Sequence, residues 1–408
     1  MKYTALFFIC PYWGHILPVI PIVKELKKNG HKIVFYSIET FYQFLYKLDI
    51  IVERYKYVEQ IQLHINYSQN NTSQLTTLMA AYKRRFDEQL ILEKYVIEEL
   101  EKYRPNYIVY DYFDAYWAKV AAEKGGIINI ASVPTFAIHP NLVEAAPEMC
   151  IKYILNLNEK EESFPKLNCR RFISHINSMI RYKYNASEFD LMDYGNSRYL
   201  NLIHTSNVLQ PFSNVFPSHF KFIGLDTKRH SPTFEEGSHF RFSSKTIIYI
   251  SMGTVEELSC LEIYRKCILA YKNTNYQVIM SIGRINPKVF GDIPENIGIY
   301  SFLPQGKILK MANLFISHGG MNSVNEALLC GVPMILIPRV SDQYVVANQV
   351  VEKGGGVIIP PDFSVSMLID STIEVLKKNY SESSHLIGET LRQSGGGKKG
   401  VKEILKIL

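Results

Sequence analysis

The segment from Asn313 to Gln343, NLFISHGGMNSVNEALLCGVPMILIPRVSDQ, concentrates residue types suited to holding an anion and a sugar. An apolar run, Leu314–Ser317, breaks at His318-Gly319-Gly320. A helical stretch follows, stops at Gly331, and gives way after Pro333 to a second apolar run, Met334–Ile337. Strand, glycine turn, helix and strand in that order predict a βαβ unit. The glycines let the backbone approach a ligand, and the new helix presents unpaired N–H groups and the positive end of its dipole, which together cradle phosphate. Asn322 and Ser323 fall at the mouth of that helix and Glu326 one turn further along. His318 and Ser323 could donate to a diphosphate while Glu326 accepts two ribose hydroxyls. On local grounds the alternative for Ser323-x-x-Glu326 is a capping box, with Gly331 as the left-handed stop. Beyond the next strand, Asp342 only accepts hydrogen bonds whereas Gln343 both accepts and donates, a combination suited to vicinal sugar hydroxyls. The alternative for Asp342 is an N-cap of a helix Tyr344–Val351.

A second histidine stands near the other end of the chain. Tyr3–Cys10 reads as a buried strand, and Leu17–Asn29 as a helix ended by Gly30, with a further strand at His31–Ser37. This is the start of a parallel sheet, and ligands bind at the C-terminal ends of such strands, where Gly14-His15 sits. His15 falls in the loop or the first helical turn. The positive helix end there disfavours protonation and leaves a neutral imidazole able to accept a proton, although a structural role is open to any lone histidine. Downstream, His64–Thr77 is polar and loop-like, Leu78–Tyr103 has long helical periodicity, and Tyr107–Tyr110 is an apolar strand ending on Asp111. A carboxylate at that strand end can orient and charge-stabilise a histidine base, or else cap a helix Ala115–Gly125; Asp114 is the reserve candidate.

The remaining elements extend the same alternation. Ile127–Ser132 and Leu202–Thr205 read as strands, and the intervening Asn141–Asn201 has poor periodicity. Asp226–Lys245 has the composition of an interdomain linker. Strands at Thr246–Ser251, Gln277–Ile282 and Ile297–Ser301, with a helix near Cys260–Lys272, then lead to the central unit. Gly253-Thr254 after the first of these strands is a second place for phosphate oxygens, or an ordinary turn, and Arg284 could reach the same anion. Gly354-Gly355-Gly356 and Gly395-Gly396-Gly397 read as flexible joints.

Bulk properties exclude several classes. A net charge of +6 on 408 residues, with scattered lysines, does not imply nucleic acid. Six cysteines without a CxxC pair suggest a reduced, cytoplasmic protein. No apolar run is long enough to cross a bilayer, and the first ten residues lack a small-residue cleavage pattern. There is no Asp-x-Asp and no His/Cys cluster at ligand spacing, so no metal and no cofactor is expected.

The ordered run Phe302-Leu303-Pro304-Gln305, His318-Gly319-Gly320, Asn322-Ser323, Glu326, Gly331-Val332-Pro333 and Asp342-Gln343 resembles the donor-binding signature of the UDP-glycosyltransferase superfamily, inverting family 1, especially its bacterial macrolide and flavonoid type. Trp13-Gly14-His15-Ile16-Leu17-Pro18 is similar to that family's Gly-His motif. The resemblance implies a GT-B fold, two Rossmann-like α/β domains with parallel sheets facing across an interdomain cleft. The expected domains are an acceptor-binding domain at 1–225, a linker at 226–245, a nucleotide-sugar domain at 246–390, and a C-terminal helix within 391–408 returning to the first domain. It further implies His15 as general base assisted by Asp111, and donor binding by Phe302, Leu303, Gln305, His318, Gly320, Asn322, Ser323, Glu326, Asp342 and Gln343, to which Gly253 and Thr254 add the second place for phosphate oxygens. Phe302 would stack on uracil, although tryptophan is commoner there. The expected reaction is inverting transfer of a hexose, with glucose as first choice, from a UDP-sugar to a hydroxyl of a hydrophobic or aromatic small molecule, without metal. Rival readings are a lipid-directed transferase at the membrane face, a nucleotide-sugar epimerase, and a non-catalytic nucleotide-sugar-binding protein.

Overall fold

The structure is a computed structural model that describes residues 3–56, 74–151, 169–184, 186, 189–226, 246–253 and 260–408. The chain forms two compact units, Met1–Asp226 with Ser394–Leu408, and Thr227–Gln393.

The first unit is built on apolar segments whose side chains are buried on both faces, the pattern of a parallel sheet covered on either side by helices. Its strands are β1 Thr4–Phe8, β2 Lys32–Ser37, β3 Ile51–Arg54, β4 Tyr107–Asp111, β5 Ile128–Val133, β6 Leu200–Ile203 and β7 Phe220–Phe222. They lie in the order β3-β2-β1-β4-β5-β6-β7, every neighbouring pair parallel. The strand order reverses between β1 and β4, so the loops leaving these two strands diverge and open a crevice at their C-terminal ends. Phe7, Phe35, Val109, Ile130 and Leu202 form one core with Val19, Ile22 and Val23 of the helix Trp13–Lys28.

Two features of this unit depart from the sequence expectation. β7 adds a strand beyond the point where the apolar pattern ends, because it is only three residues long and two of its three side chains stay partly exposed. The long helix begins at Gln74, four residues inside the stretch expected as loop; the rest of that loop, 57–73, lies outside the described residues. The last helix, Gly396–Leu405, belongs to this unit and contributes Val401 and Ile404 to its core.

The second unit repeats the plan with β8 Ile247–Ser251, β9 Gln277–Ser281, β10 Ile297–Tyr300, β11 Leu314–Ser317, β12 Met334–Leu336 and β13 Gly356–Ile358. The order is β10-β9-β8-β11-β12-β13, again all parallel, with its reversal between β8 and β11. Ile248, Ile250, Val278, Met280, Leu314, Ile316 and Ile335 are fully buried in its core.

The glycine triplets are fixed in place rather than flexible. A side chain on Gly356 would put its Cβ 2.1 Å from the carbonyl oxygen of Met334 on the neighbouring strand. One on Gly397 would meet the Pro21 backbone at 2.6 Å, and Gly396 N–H donates to the Ile223 carbonyl at 2.7 Å. These glycines are required by close backbone packing.

Candidate active site

In the first unit, the sequence Cys10-Pro11-Tyr12 carries the chain from β1 into the helix Trp13–Lys28, whose N-cap, Tyr12, makes no side-chain capping bond. His15 is therefore the third residue of that helix, with its backbone N–H bonded to the Tyr12 carbonyl at 2.9 Å. Asp111 is the last residue of β4. The sheet order makes β1 and β4 neighbours, and so brings together residues 96 positions apart: His15 Nδ1 lies 2.6 Å from Asp111 Oδ2. Asp111 is 1% exposed and His15 21%. The other carboxylate oxygen of Asp111 accepts from the backbone N–H of Phe113 at 3.0 Å. Asp111 is not an N-cap of the next helix, Tyr116–Lys124, which starts after Ala115. A buried carboxylate held by backbone donors fixes the imidazole through Nδ1 and so selects the tautomer whose Nε2 can accept a proton.

In the second unit, β8 and β11 end side by side, and the loops that leave them carry Gly253 and His318. The His318 ring packs between two glycines. A Cβ on Gly253, at φ +83°, would fall 2.8 Å from Cε1, and one on Gly320 would fall 2.5 Å from Nε2. The His318 pKa is lowered from 6.5 to about 4, chiefly by burial and further by the Arg339 guanidinium, with a backbone hydrogen bond to Ser251 opposing both. The ring is therefore neutral at pH 7. Its Nδ1 is buried and has no hydrogen-bond partner among the described residues, a condition that buried polar atoms rarely tolerate outside functional sites.

The helix Met321–Leu329 begins directly after Gly320, which as N-cap supplies no side-chain bond to the first turn. Ser323 is the third residue of this helix and Glu326 the sixth, so the two do not form a capping box. Both instead meet Gln305, whose amide donates to Ser323 Oγ at 3.2 Å and to Glu326 Oε2 at 2.8 Å. Asn322 lies half-buried in the same first turn. Asp342 is likewise not an N-cap: the helix Ser341–Glu352 starts after Val340, and Asp342 sits in its first turn behind Ser341 at φ +28°. The Gln343 side chain accepts from the Arg339 backbone N–H at 2.9 Å, and the Gln343 backbone carbonyl oxygen lies 3.2 Å from where a Gly319 Cβ would be. Phe302 follows β10 with 37% of its surface exposed, next to buried Leu303. Arg284 is exposed beyond β9. Thr254 lies outside the described residues.

Residues 268–394 match the family model described as Erythromycin biosynthesis protein CIII-like, C-terminal domain. Over nearly the whole chain, 27% of residues are identical to an uncharacterized UDP-glucosyltransferase, YojK, of Bacillus subtilis strain 168, across 97% of this chain and 95% of that protein. The NDP-glycosyltransferase YjiC of Bacillus licheniformis is 29% identical across 99% of this chain and 97% of its own length. The solved glycotransferase of kitacinnamycin superposes with a TM-score of 0.78 at 21% identity, covering 100% of this chain and 99% of the other. Over nearly its whole length the chain is similar to glycosyltransferases of the family 1 superfamily. It is a glycosyltransferase with two Rossmann-like domains of the GT-B kind.

Two residues of this glycosyltransferase escaped the sequence reading. Arg339, in the run Ile337-Pro338-Arg339, bears electrostatically on His318 and places its Nη1 2.9 Å from Cys260 Sγ. A single cation interrupting an apolar run was the available signal. Cys10 enters the sequence expectation only as the end of a buried strand. Its Sγ lies 3.4 Å from Asp114 Oδ2, and its thiol, Asp114 and His15 form a group whose ligand atoms all fall within 4.8 Å of one another. Sequence spacing shows no such cluster, because β1 and β4 become adjacent only in the folded sheet. Among the described residues no helix is long and apolar enough to cross a membrane.

Proposed function

We propose that the protein transfers a hexose, glucose in the first instance, from a UDP-sugar to a hydroxyl of a hydrophobic or aromatic small molecule, with inversion at the anomeric carbon. The observation that carries this reading is the 2.6 Å contact between His15 Nδ1 and buried Asp111 at the strand-order reversal of the first sheet. A base so held takes the acceptor proton on Nε2 as the acceptor oxygen attacks the anomeric carbon, and Asp111 stabilises the imidazolium that forms. The anomeric C–O bond to the diphosphate breaks as the new one forms, and a single displacement inverts the centre.

The leaving diphosphate is stabilised by groups of the second unit. The uncapped first turn of Met321–Leu329 supplies backbone N–H groups, Ser323 and Asn322 supply side-chain donors, and neutral His318 supplies a polar contact without a buried charge. The lack of side chains at Gly320 and Gly253 lets the His318 ring sit between them, beside the start of the helix. Glu326, steadied by Gln305, accepts from ribose hydroxyls, and the exposed ring of Phe302 stacks on the base. Asp342 and Gln343 hold sugar hydroxyls. The names of YojK and YjiC, a UDP-glucosyltransferase and an NDP-glycosyltransferase, support the nucleotide-sugar donor.

Incubation with a panel of UDP- and dTDP-sugars and a phenolic acceptor tests the proposal. UDP release with formation of a β-glucoside from UDP-α-glucose is the expected result. Retention of the α configuration, or release only from dTDP-sugars, would contradict it.

A further inference from the structure

We propose that Cys10, His15 and Asp114 form a binding site for Zn2+ and that its occupation switches transfer off. The three ligand atoms lie within 4.8 Å of one another: the Cys10 thiol sulfur, a ring nitrogen of His15 and a carboxylate oxygen of Asp114. Ligands sharing one tetrahedral zinc sit about 3.3–3.6 Å apart, given Zn–S near 2.3 Å and Zn–N or Zn–O near 2.0–2.2 Å. The 3.4 Å between Cys10 Sγ and Asp114 Oδ2 already falls in that range. The other pairs lie within 4.8 Å, so the cluster needs a shift of about 1.5 Å at most to close on an ion.

The ligand set selects the metal. Thiolate and imidazole favour zinc over magnesium or calcium, which prefer oxygen, and one thiolate with one carboxylate neutralises the charge of a divalent ion. Three protein ligands leave a fourth position for water. Asp111, bonded to His15 Nδ1 at 2.6 Å, stands where an outer carboxylate orients a ligating histidine. Cys10 is buried at the end of the β1 segment, whereas His15 and Asp114 are half-buried, so an ion approaches from their side. Binding is a simple exchange: the thiol proton leaves to solvent, the sulfur bonds to zinc, and no electrons are transferred.

The effect on transfer rests on the reading of His15 as the base. Zinc on Nε2 occupies the lone pair that would take the acceptor proton, and zinc on Nδ1 displaces Asp111. Either mode disables the pair.

The test adds Co2+, a spectroscopic stand-in for zinc, to the metal-free full-length chain. A thiolate-to-cobalt absorption band with tetrahedral visible bands is expected, discharged by Zn2+ and absent in Cys10→Ser. Zn2+ should then inhibit turnover reversibly with a chelator, and Cys10→Ser and Asp114→Asn, each compared with its own chelator-treated rate, should need about tenfold more zinc or beyond. No cobalt–thiolate band, or zinc inhibition unchanged in Cys10→Ser, would overturn the site and leave the base assignment to its own test, turnover in His15→Ala. Cobalt bound through Cys10 with turnover undiminished would overturn the switch.

Discussion

At the scale of single residues, the chemistry depends on two histidines in different settings. His15 is oriented by a buried carboxylate, and His318 is kept neutral by burial and a nearby guanidinium. If Asp111 acts only through His15, the two substitutions are not additive. Asp111→Asn should lower kcat by at least about tenfold, while the double variant with His15→Ala should lose no more than His15→Ala alone. A double-mutant cycle on kcat checks this. For His318 the sign follows from its lowered pKa. Between pH 6.5 and about 4 the unfolded chain binds a proton on this ring that the folded chain does not, so stability falls as the pH is lowered through that window. His318→Asn should therefore lose less thermal stability than the parent between pH 6.5 and 4, as read from Tm at each pH.

At the scale of elements, the two sites share one construction: a parallel sheet whose order reverses, and a helix that starts just past the reversal. The helix Trp13–Lys28 delivers His15 beside β4, and the helix Met321–Leu329 starts beside the His318 ring. Gly320→Ala would place a methyl group 2.5 Å from His318 Nε2 and push the ring from its position. Overpacking of this kind costs about 1–3 kcal/mol, so UDP affinity measured by calorimetry should fall about tenfold with little change in far-UV circular dichroism. The βαβ unit around His318 was legible in the sequence because the apolar runs are short, clean and separated by glycines. The capping roles were not. Ser323-x-x-Glu326 and Asp342 both match cap patterns, yet the N-caps lie three and two residues earlier, at Gly320 and Val340, without a side-chain bond, which leaves Ser323 and Glu326 to meet Gln305. A pattern of residue types gives the helix, while its first residue is decided by the turn that precedes it.

At the scale of the whole molecule, the alternation of strands and helices identified two parallel α/β sheets, whereas β7 and the setting of the glycine triplets depended on tertiary contacts. Gly395-Gly396-Gly397 looks like a joint in isolation. In the fold it opens a helix that lies against Pro21 and supplies Val401 and Ile404 to the core of the first unit. Gly397→Ala, with its Cβ 2.6 Å from the Pro21 backbone, should destabilise that unit by about 1–3 kcal/mol, seen as a lower Tm. The Cys10, His15 and Asp114 cluster belongs to this scale as well, since it spans 104 positions of the chain and exists only once β1 and β4 pair. The most direct measurement is kcat of His15→Ala with UDP-glucose and a phenolic acceptor, taken beside UDP affinity and Tm of the same variant. The account predicts a fall of about 10²–10⁴ in kcat with UDP affinity and Tm retained. Full turnover in a folded His15→Ala protein would contradict it.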